Sequence, residues 1–272
     1  MLALTAHLLH NQGGRSYQED AYGYRVMQDI ACFVVADGAG GHGGGDLASK
    51  LAVRAILEQH AMQPSCSMGA AAALMQYAQQ VVVAGQRKFT QFPDMRSTVV
   101  MALVDLLSGH AVFGNVGDSR GYWFHQATLQ LQTRDHSLVQ QMVEAGMIQR
   151  EQMRTRKERS VLTSSLGSPG ELEPYVYELE APASGGDVLL LCTDGLWEYV
   201  QEEEMQDVLR LNQDGDRYLA YFEHWVQQRA PKNCDNFTGL MAVFGAGAAG
   251  SDSTLDPETT VIARLDQLGG SA

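Results

Sequence analysis

Short apolar runs that each meet an aspartate at a turn constrain this chain more than any other feature. The run 30–36 leads into Asp37-Gly38, 188–193 leads into Asp194-Gly195, and 111–117 leads into Asp118, while Asp235 stands just before the run 237–244. Apolar runs of this length bounded by turn residues read as buried strands, which puts the carboxylates at strand ends. Gathered at one rim of a core they would repel one another unless a cation joined them. An oxygen-only donor set of this kind suits the hard divalent ions magnesium, manganese or calcium.

Strand-like runs cover about 2–10, 30–36, 97–107, 110–117, 128–132, 174–180, 187–193, 237–244 and 259–264. Helical spacing appears over 45–60, from the N-cap candidate Ser67 through Val82, and near 202–211 and 215–229. Strands in groups with helices in pairs predict a layered α+β domain and argue against an alternating parallel sheet. With 272 residues and 45% hydrophobic content the chain can build one substantial core. It reads as a single domain over 1–272, with an irregular, basic segment at about 137–172 and a small-residue, polar surface loop at about 245–258. The apolar N-terminal stretch lacks a basic leader and reads as a first strand, and no run reaches the roughly 18 apolar residues of a membrane span.

Nineteen basic against thirty-two acidic residues give a formal charge of -13, which argues against a general binder of nucleic acid or anionic membrane. The four cysteines, Cys32, Cys66, Cys192 and Cys234, show no metal-ligand spacing and read as free thiols in a reducing cytoplasm. Of the histidines, His125 and five others show no ligand-like spacing, and His136 reads as a capping residue.

Two segments carry chemistry. In Arg15-Ser16-Tyr17-Gln18-Glu19-Asp20 the adjacent acids face opposite sides if the chain is extended, so one can bind an ion and the other orient its water. A guanidinium such as that of Arg15, held beside an acidic metal site, fits an anionic visitor such as a phosphate. In the second segment, Asp37-Gly38-Ala39-Gly40-Gly41-His42-Gly43-Gly44-Gly45, the glycines let the backbone approach an ion, and the Gly38 carbonyl is itself a candidate ligand. No Gly-Lys-Ser/Thr follows, so this is not a Walker loop.

The order of the motifs resembles the metal-dependent type-2C (PPM) protein serine/threonine phosphatases, and among them the compact bacterial members. The matching stretches are Arg15-x-x-Gln18-Glu19-Asp20, Val35-Ala36-Asp37-Gly38-Ala39-Gly40-Gly41-His42, Ser97-Thr98-Val99, Gly114-Asn115-Val116-Gly117-Asp118-Ser119-Arg120, Asp135-His136-Ser137, Leu162-Thr163-Ser164-Ser165-Leu166-Gly167, Cys192-Thr193-Asp194-Gly195-Leu196-Trp197 and Asp235-Asn236-Phe237-Thr238. The resemblance implies a four-layer α-β-β-α sandwich, two central antiparallel sheets flanked by paired helices. It implies two Mn2+ or Mg2+ ions and hydrolysis of phosphoserine and phosphothreonine by a metal-bound hydroxide. Asp37 would bridge the ions, with Glu19 and the Gly38 carbonyl on one and Asp194 and Asp235 on the other. Asp20 would support the bound waters, Arg15 would hold the substrate phosphate, and Asp118 with Asp194 would border a third, weaker site.

Residues 137–172 would correspond to the family's variable flap. Gln18 stands where the family usually has Asn. Ala39 stands where many members carry a histidine, which leaves protonation of the product to water on a metal or to His42. The expected partners are phosphorylated proteins, the substrates of a serine/threonine kinase, met by a cytoplasmic, monomeric enzyme. A catalytically silent binding or scaffold protein on the same fold is the alternative, and it would show itself by failing to bind divalent ions. The basic residues Arg150, Arg154, Arg156, Lys157 and Arg159 either greet acidic partners or form a solvated face.

Overall fold

The computed structural model describes residues 1–39, 43–211 and 214–246. Its strands, in chain order, are β1 (Leu2–Asn11), β2 (Ala21–Met27), β3 (Ile30–Ala36), β4 (Gly38–Ala39), β5 (Arg96–Ser97), β6 (Val99–Asp105), β7 (Ala111–Val116), β8 (Arg120–His125), β9 (Thr128–Gln132), β10 (Tyr175–Glu178), β11 (Val188–Cys192) and β12 (Phe237–Ala246). The helices are α1 (Gly45–Met62), α2 (Met68–Lys88), α3 (Leu138–Glu144), α4 (Asp194–Trp197), α5 (Glu202–Leu209) and α6 (Gly215–Arg229), with a 3-10 turn over Arg150–Thr155.

Ten of the strands form two five-stranded sheets, ordered β1-β12-β11-β8-β9 and β10-β7-β6-β3-β2, and β4 pairs with β5 in a short ladder at one end. All pairings are antiparallel. Along β3 the side chains alternate between two apolar environments. Phe33 and Val35 enter the layer between the sheets, with Phe113, Trp123, Leu191 and Phe244. Cys32, Val34 and Ala36 face the other way, onto α1 and α2. The first sheet does the same on its outer face, where Leu190, Cys192 and Met241 meet Leu196, Phe222 and Val226 of the α4–α6 group. A strand buried on both faces has no polar side, which is why these segments read as unbroken apolar runs.

The observed layers are those of the expected sandwich. Ser67 caps α2 by accepting from the Ala70 amide at 3.1 Å. Several elements are additional, among them β2, β8 and α4. β2 and β8 carry the polar interruptions Arg25 and Arg120 and no clean period, and α4 is a single turn begun by Asp194 itself. The run expected at 97–107 divides into β5 and β6, because Thr98 leaves the ladder to hold Asp37. β12 continues through Ala246, and the strand expected at 259–264 lies outside the described residues, as does the loop beyond 246. Cys32 and Cys192 are buried, Cys66 and Cys234 partly so, and all four are free thiols.

Candidate metal and phosphate site

The turns at one end of the sandwich bring the acids of both sheets together. Asp37 leaves β3 of the second sheet, Asp194 and Asp235 flank β11 and β12 of the first, and Asp118 lies on the connection between the sheets, from β7 to β8. Side chains that the motifs contain, but to which sequence reasoning gave no role, fix these turns. The Asp37 carbonyl accepts from the Thr98 amide at 2.8 Å and from the Ser97 hydroxyl at 2.8 Å, and its amide donates to Thr98 Oγ1 at 3.1 Å. The Thr98 and Ser119 hydroxyls share a 2.7 Å hydrogen bond, which ties the Asp37 turn to the Asp118 turn.

Asp20 is buried and accepts at Oδ2 from the hydroxyls of Thr193, 3.0 Å away, and Thr238, 2.7 Å away. Gln18, which stands where the family usually has Asn, accepts from the Asp20 amide at 3.0 Å. Asn236 is 2% exposed and binds three parts of the N-terminal loop: it accepts from the Glu19 amide and donates to the carbonyls of Gln12 and Tyr17. Its place beside Asp235 was the signal that could have marked it.

Gly38 and Gly45 make the close approach that the glycine-rich loop promised. A Cβ on Gly38 would lie 2.2 Å from the Gly45 carbonyl oxygen, and one on Gly45 would lie 2.3 Å from Glu19 Oε1. Only hydrogen at both positions lets the loop, the Glu19 carboxylate and the start of α1 share this space. His42 lies outside the described residues.

The electrostatics follow from putting like charges in a poorly hydrated place. Burial, and then the neighbouring Asp20, Asp194, Asp118 and Asp235, hold the Asp37 carboxyl well above the usual range. Burial raises Asp194 in the same way, with Asp118 as its strongest charged neighbour. Burial pushes Asp20 and Asp118 up to about 7. Burial also raises Glu19, which reaches the Tyr17 hydroxyl at 3.4 Å. Asp20 Oδ1 and Asp194 Oδ1 are buried oxygens that receive no hydrogen bond.

Among the described residues no three of these groups already converge on a single point. Asp20 Oδ2 is occupied by two threonine hydroxyls, and Asp235 Oδ2 by Arg15 at 2.5 Å. The Arg15 guanidinium is half exposed at the mouth. Burial works against its charge, but Asp235, Glu19 and Asp194 override that and raise its pKa. The donor chemistry and the orphaned oxygens fit hard divalent cations. A cation would supply the positive charge that these carboxylates lack among themselves.

Asp118 is held from both sides. Its carbonyl accepts from the Trp197 indole at 2.9 Å. The preceding Gly117 has φ +98 and donates its amide to His136 Nδ1 at 3.3 Å. The other His136 nitrogen lies 3.1 Å from the Glu173 carbonyl, and its ring stacks 4.0 Å from Tyr175. Burial lowers the His136 pKa, which agrees with one ring nitrogen accepting and the other donating. His136 is thus a brace between distant segments, and the cap expected of it falls to its neighbour Ser137, which accepts from the Gln140 amide at 3.3 Å.

The basic cluster of 150–159 turns inward at its strongest members. Arg154 donates to the Trp197 carbonyl at 2.9 Å and to Glu202 at 2.9 Å, and Arg159 reaches Glu198 at 2.6 Å. These two guanidinium groups are committed within the molecule and are not part of a patch waiting for an acidic partner.

A site of clustered oxygen donors with an arginine at its mouth, at the end of a double antiparallel sandwich, defines a metal-dependent phosphoryl hydrolase. The match to the family model "Protein phosphatase 2C" extends over residues 10–236, and the chain belongs to that family. It is 33% identical over 252 residues to the serine/threonine phosphatase stp of Listeria welshimeri, covering 88% of this chain and 95% of that protein. The serine/threonine phosphatase Stp1 of Staphylococcus aureus superposes with a TM-score of 0.78 at 26% identity, covering 89% of this chain and 96% of that one. The catalytic domain of the phosphatase PstP, solved in complex with two manganese ions, shares the fold at a TM-score of 0.75 and 24% identity, covering 90% of this chain and all of that one. No helix among the described residues is long and apolar enough to cross a membrane.

Proposed function

We propose that the chain removes phosphate from phosphoserine and phosphothreonine in proteins, using two manganese or magnesium ions held by the acids at the strand ends. The observation that carries this reading is the pair of buried, unpartnered carboxylate oxygens, Asp20 Oδ1 and Asp194 Oδ1, inside a group of acids with Arg15 at its mouth. Asp37, Glu19 and the Gly38 carbonyl, with Asp194 and Asp235, would hold the two ions. Asp118 with Asp194 would border a third, weaker site. Bound divalent ions would lower the pKa of a shared water and neutralise the phosphate oxygens in an in-line displacement.

The chain's own residues bind and orient. Asp20, fixed by Thr193 and Thr238, accepts hydrogen bonds from water in the site. Arg15 exchanges its bond to Asp235 for the substrate phosphate, a trade of one charge-assisted contact for another. Residues 137–172 act as a flap beside the mouth, anchored by Arg154 and Arg159. The enzyme works as a cytoplasmic monomer on the products of a serine/threonine kinase.

Release of phosphate from a phosphothreonine peptide should require manganese or magnesium and should stop on exhaustive chelation. Asp194→Ala should lower kcat by more than about 100-fold, roughly 2.7 kcal/mol of barrier, while Arg15→Ala should act mainly on KM. Activity that survives Asp37→Ala or chelation would defeat the metal mechanism.

A further inference from the structure

At the end of the sandwich away from the acids, the edge strands β9 and β10 part around a cavity of about 410 Å³. This falls within the roughly 300–1,000 Å³ of small-molecule sites. Trp123, Tyr177 and Leu179 give it aromatic and aliphatic walls, and none of its lining residues is a lysine or arginine. The phosphatase reading uses none of its lining residues.

Its acidic side chains outnumber its basic ones. Asp187, 2% exposed, lies in the wall, where it accepts from the Trp123 indole at 3.3 Å, from the Ser184 amide at 3.0 Å and from a His125 ring nitrogen at 2.7 Å. Glu178 and Glu180 stand exposed at the rim and add two more carboxylates. His110, 3.4 Å from Glu178, lies outside the lining. An apolar, aromatic-walled space with two exposed carboxylates at its rim, a third in its wall and no lysine or arginine favours positive charge on an apolar body.

We propose that this cavity binds a small organic cation, an ammonium or amidinium group carried on an aromatic or aliphatic frame. The test uses benzamidine as the cationic probe and benzamide as its neutral counterpart of nearly equal shape. The full chain is titrated and followed by the NMR signal of the Trp123 indole N–H, assigned with Trp123→Phe. Benzamidine should move that signal saturably and bind about tenfold more tightly than benzamide. The exposed pair Glu178→Gln with Glu180→Gln should weaken benzamidine about threefold or more, and Asp187→Asn should weaken it further.

The affinity should be the same in EDTA and in magnesium, since the strand-end acids lie at the other end of the sheets. That separates this site from the phosphatase reading, which predicts a metal-dependent effect. Equal binding of benzamide, or no movement of the Trp123 signal at about 10 mM benzamidine, well above a roughly millimolar Kd, would overturn the proposal.

Discussion

Asp20→Asn should stabilise the metal-free protein while harming the metal-loaded enzyme, and the size of the gain can be worked from the structure. Burial lifts the folded-state pKa of Asp20 to about 7 from the reference 3.8. The folded state therefore binds more protons than the unfolded state between these values, and stability falls as pH rises through that window, levelling off above about 7. At pH 8 the full difference of about three units applies, which at roughly 1.4 kcal/mol per unit is about 4 kcal/mol. At pH 5 only about 1.5 kcal/mol has accrued. Asparagine removes the charge and keeps one oxygen for the Thr193 and Thr238 hydroxyls, but it brings a buried amide N–H that must be desolvated, at about 1 kcal/mol. The net gain at pH 8 is about 3 kcal/mol, or roughly 6–12 °C in Tm for a domain of this size. Thermal unfolding in EDTA at pH 5 and pH 8 measures it, and a manganese titration should then raise the wild-type Tm more than that of the variant. A variant that is less stable than wild type in EDTA at pH 8, or one whose advantage is the same at both pH values, would refute the reasoning.

Three further outcomes are expected. Arg120, 4% exposed, pairs with the buried Asp135 at 2.8 Å and lies 3.5 Å over the Trp197 ring. Arg120→Met should therefore cost about 3–5 kcal/mol in urea unfolding, because Asp135 loses its bidentate partner in the interior. Gly38→Ala drives a Cβ against the Gly45 carbonyl, and backbone atoms cannot swing aside as a side chain can. It should cost about 1–3 kcal/mol and weaken the manganese-induced rise in Tm. Arg154→Ala removes a largely buried guanidinium from Glu202 and from the carbonyls of Trp197 and Val200, so amide exchange over 150–155 should quicken as about 1.5–3 kcal/mol of anchoring is lost.

The strand ends were legible because a strand buried on both faces has to be largely apolar, so its first charged residue marks where it leaves the core. Asp37, Asp118 and Asp194 stand out for that reason. β2 and β8 were hidden by the same logic in reverse. Arg25 and Arg120 interrupt their patterns, and the burial of Arg120 is made tolerable only by Asp135, Glu202 and Trp197, which are distant in sequence. Thr193, Thr238, Thr98, Ser119 and Asn236 lay within the motifs, yet nothing in their spacing says which hydroxyl or amide will meet which partner. Asp20 and Thr238 are 218 positions apart. Contacts of that kind are decided by sheet order, which short-range patterns do not encode. The 137–172 segment misled for a different reason: a run of bases looks solvated until the carboxylates and carbonyls that face it are known.

The site is divided between the two sheets, and this makes its spacing a property of the core. Asp37 follows a strand of the second sheet, Asp194 and Asp235 flank strands of the first, and no hydrogen-bonded ladder joins the two sheets among the described residues. What sets their separation is the apolar layer containing Phe33, Phe113, Trp123 and Phe244, about 10 Å thick as in other face-to-face sheets. Polar stitches then finish the alignment at the rim: Thr98 with Ser119 between the turns, Asp20 with Thr193 and Thr238, and Asn236 with Glu19. A close-packed interior transmits changes of volume because it has little free space to absorb them. The acids can therefore be held near one another, against their mutual repulsion, by side chains that never touch them.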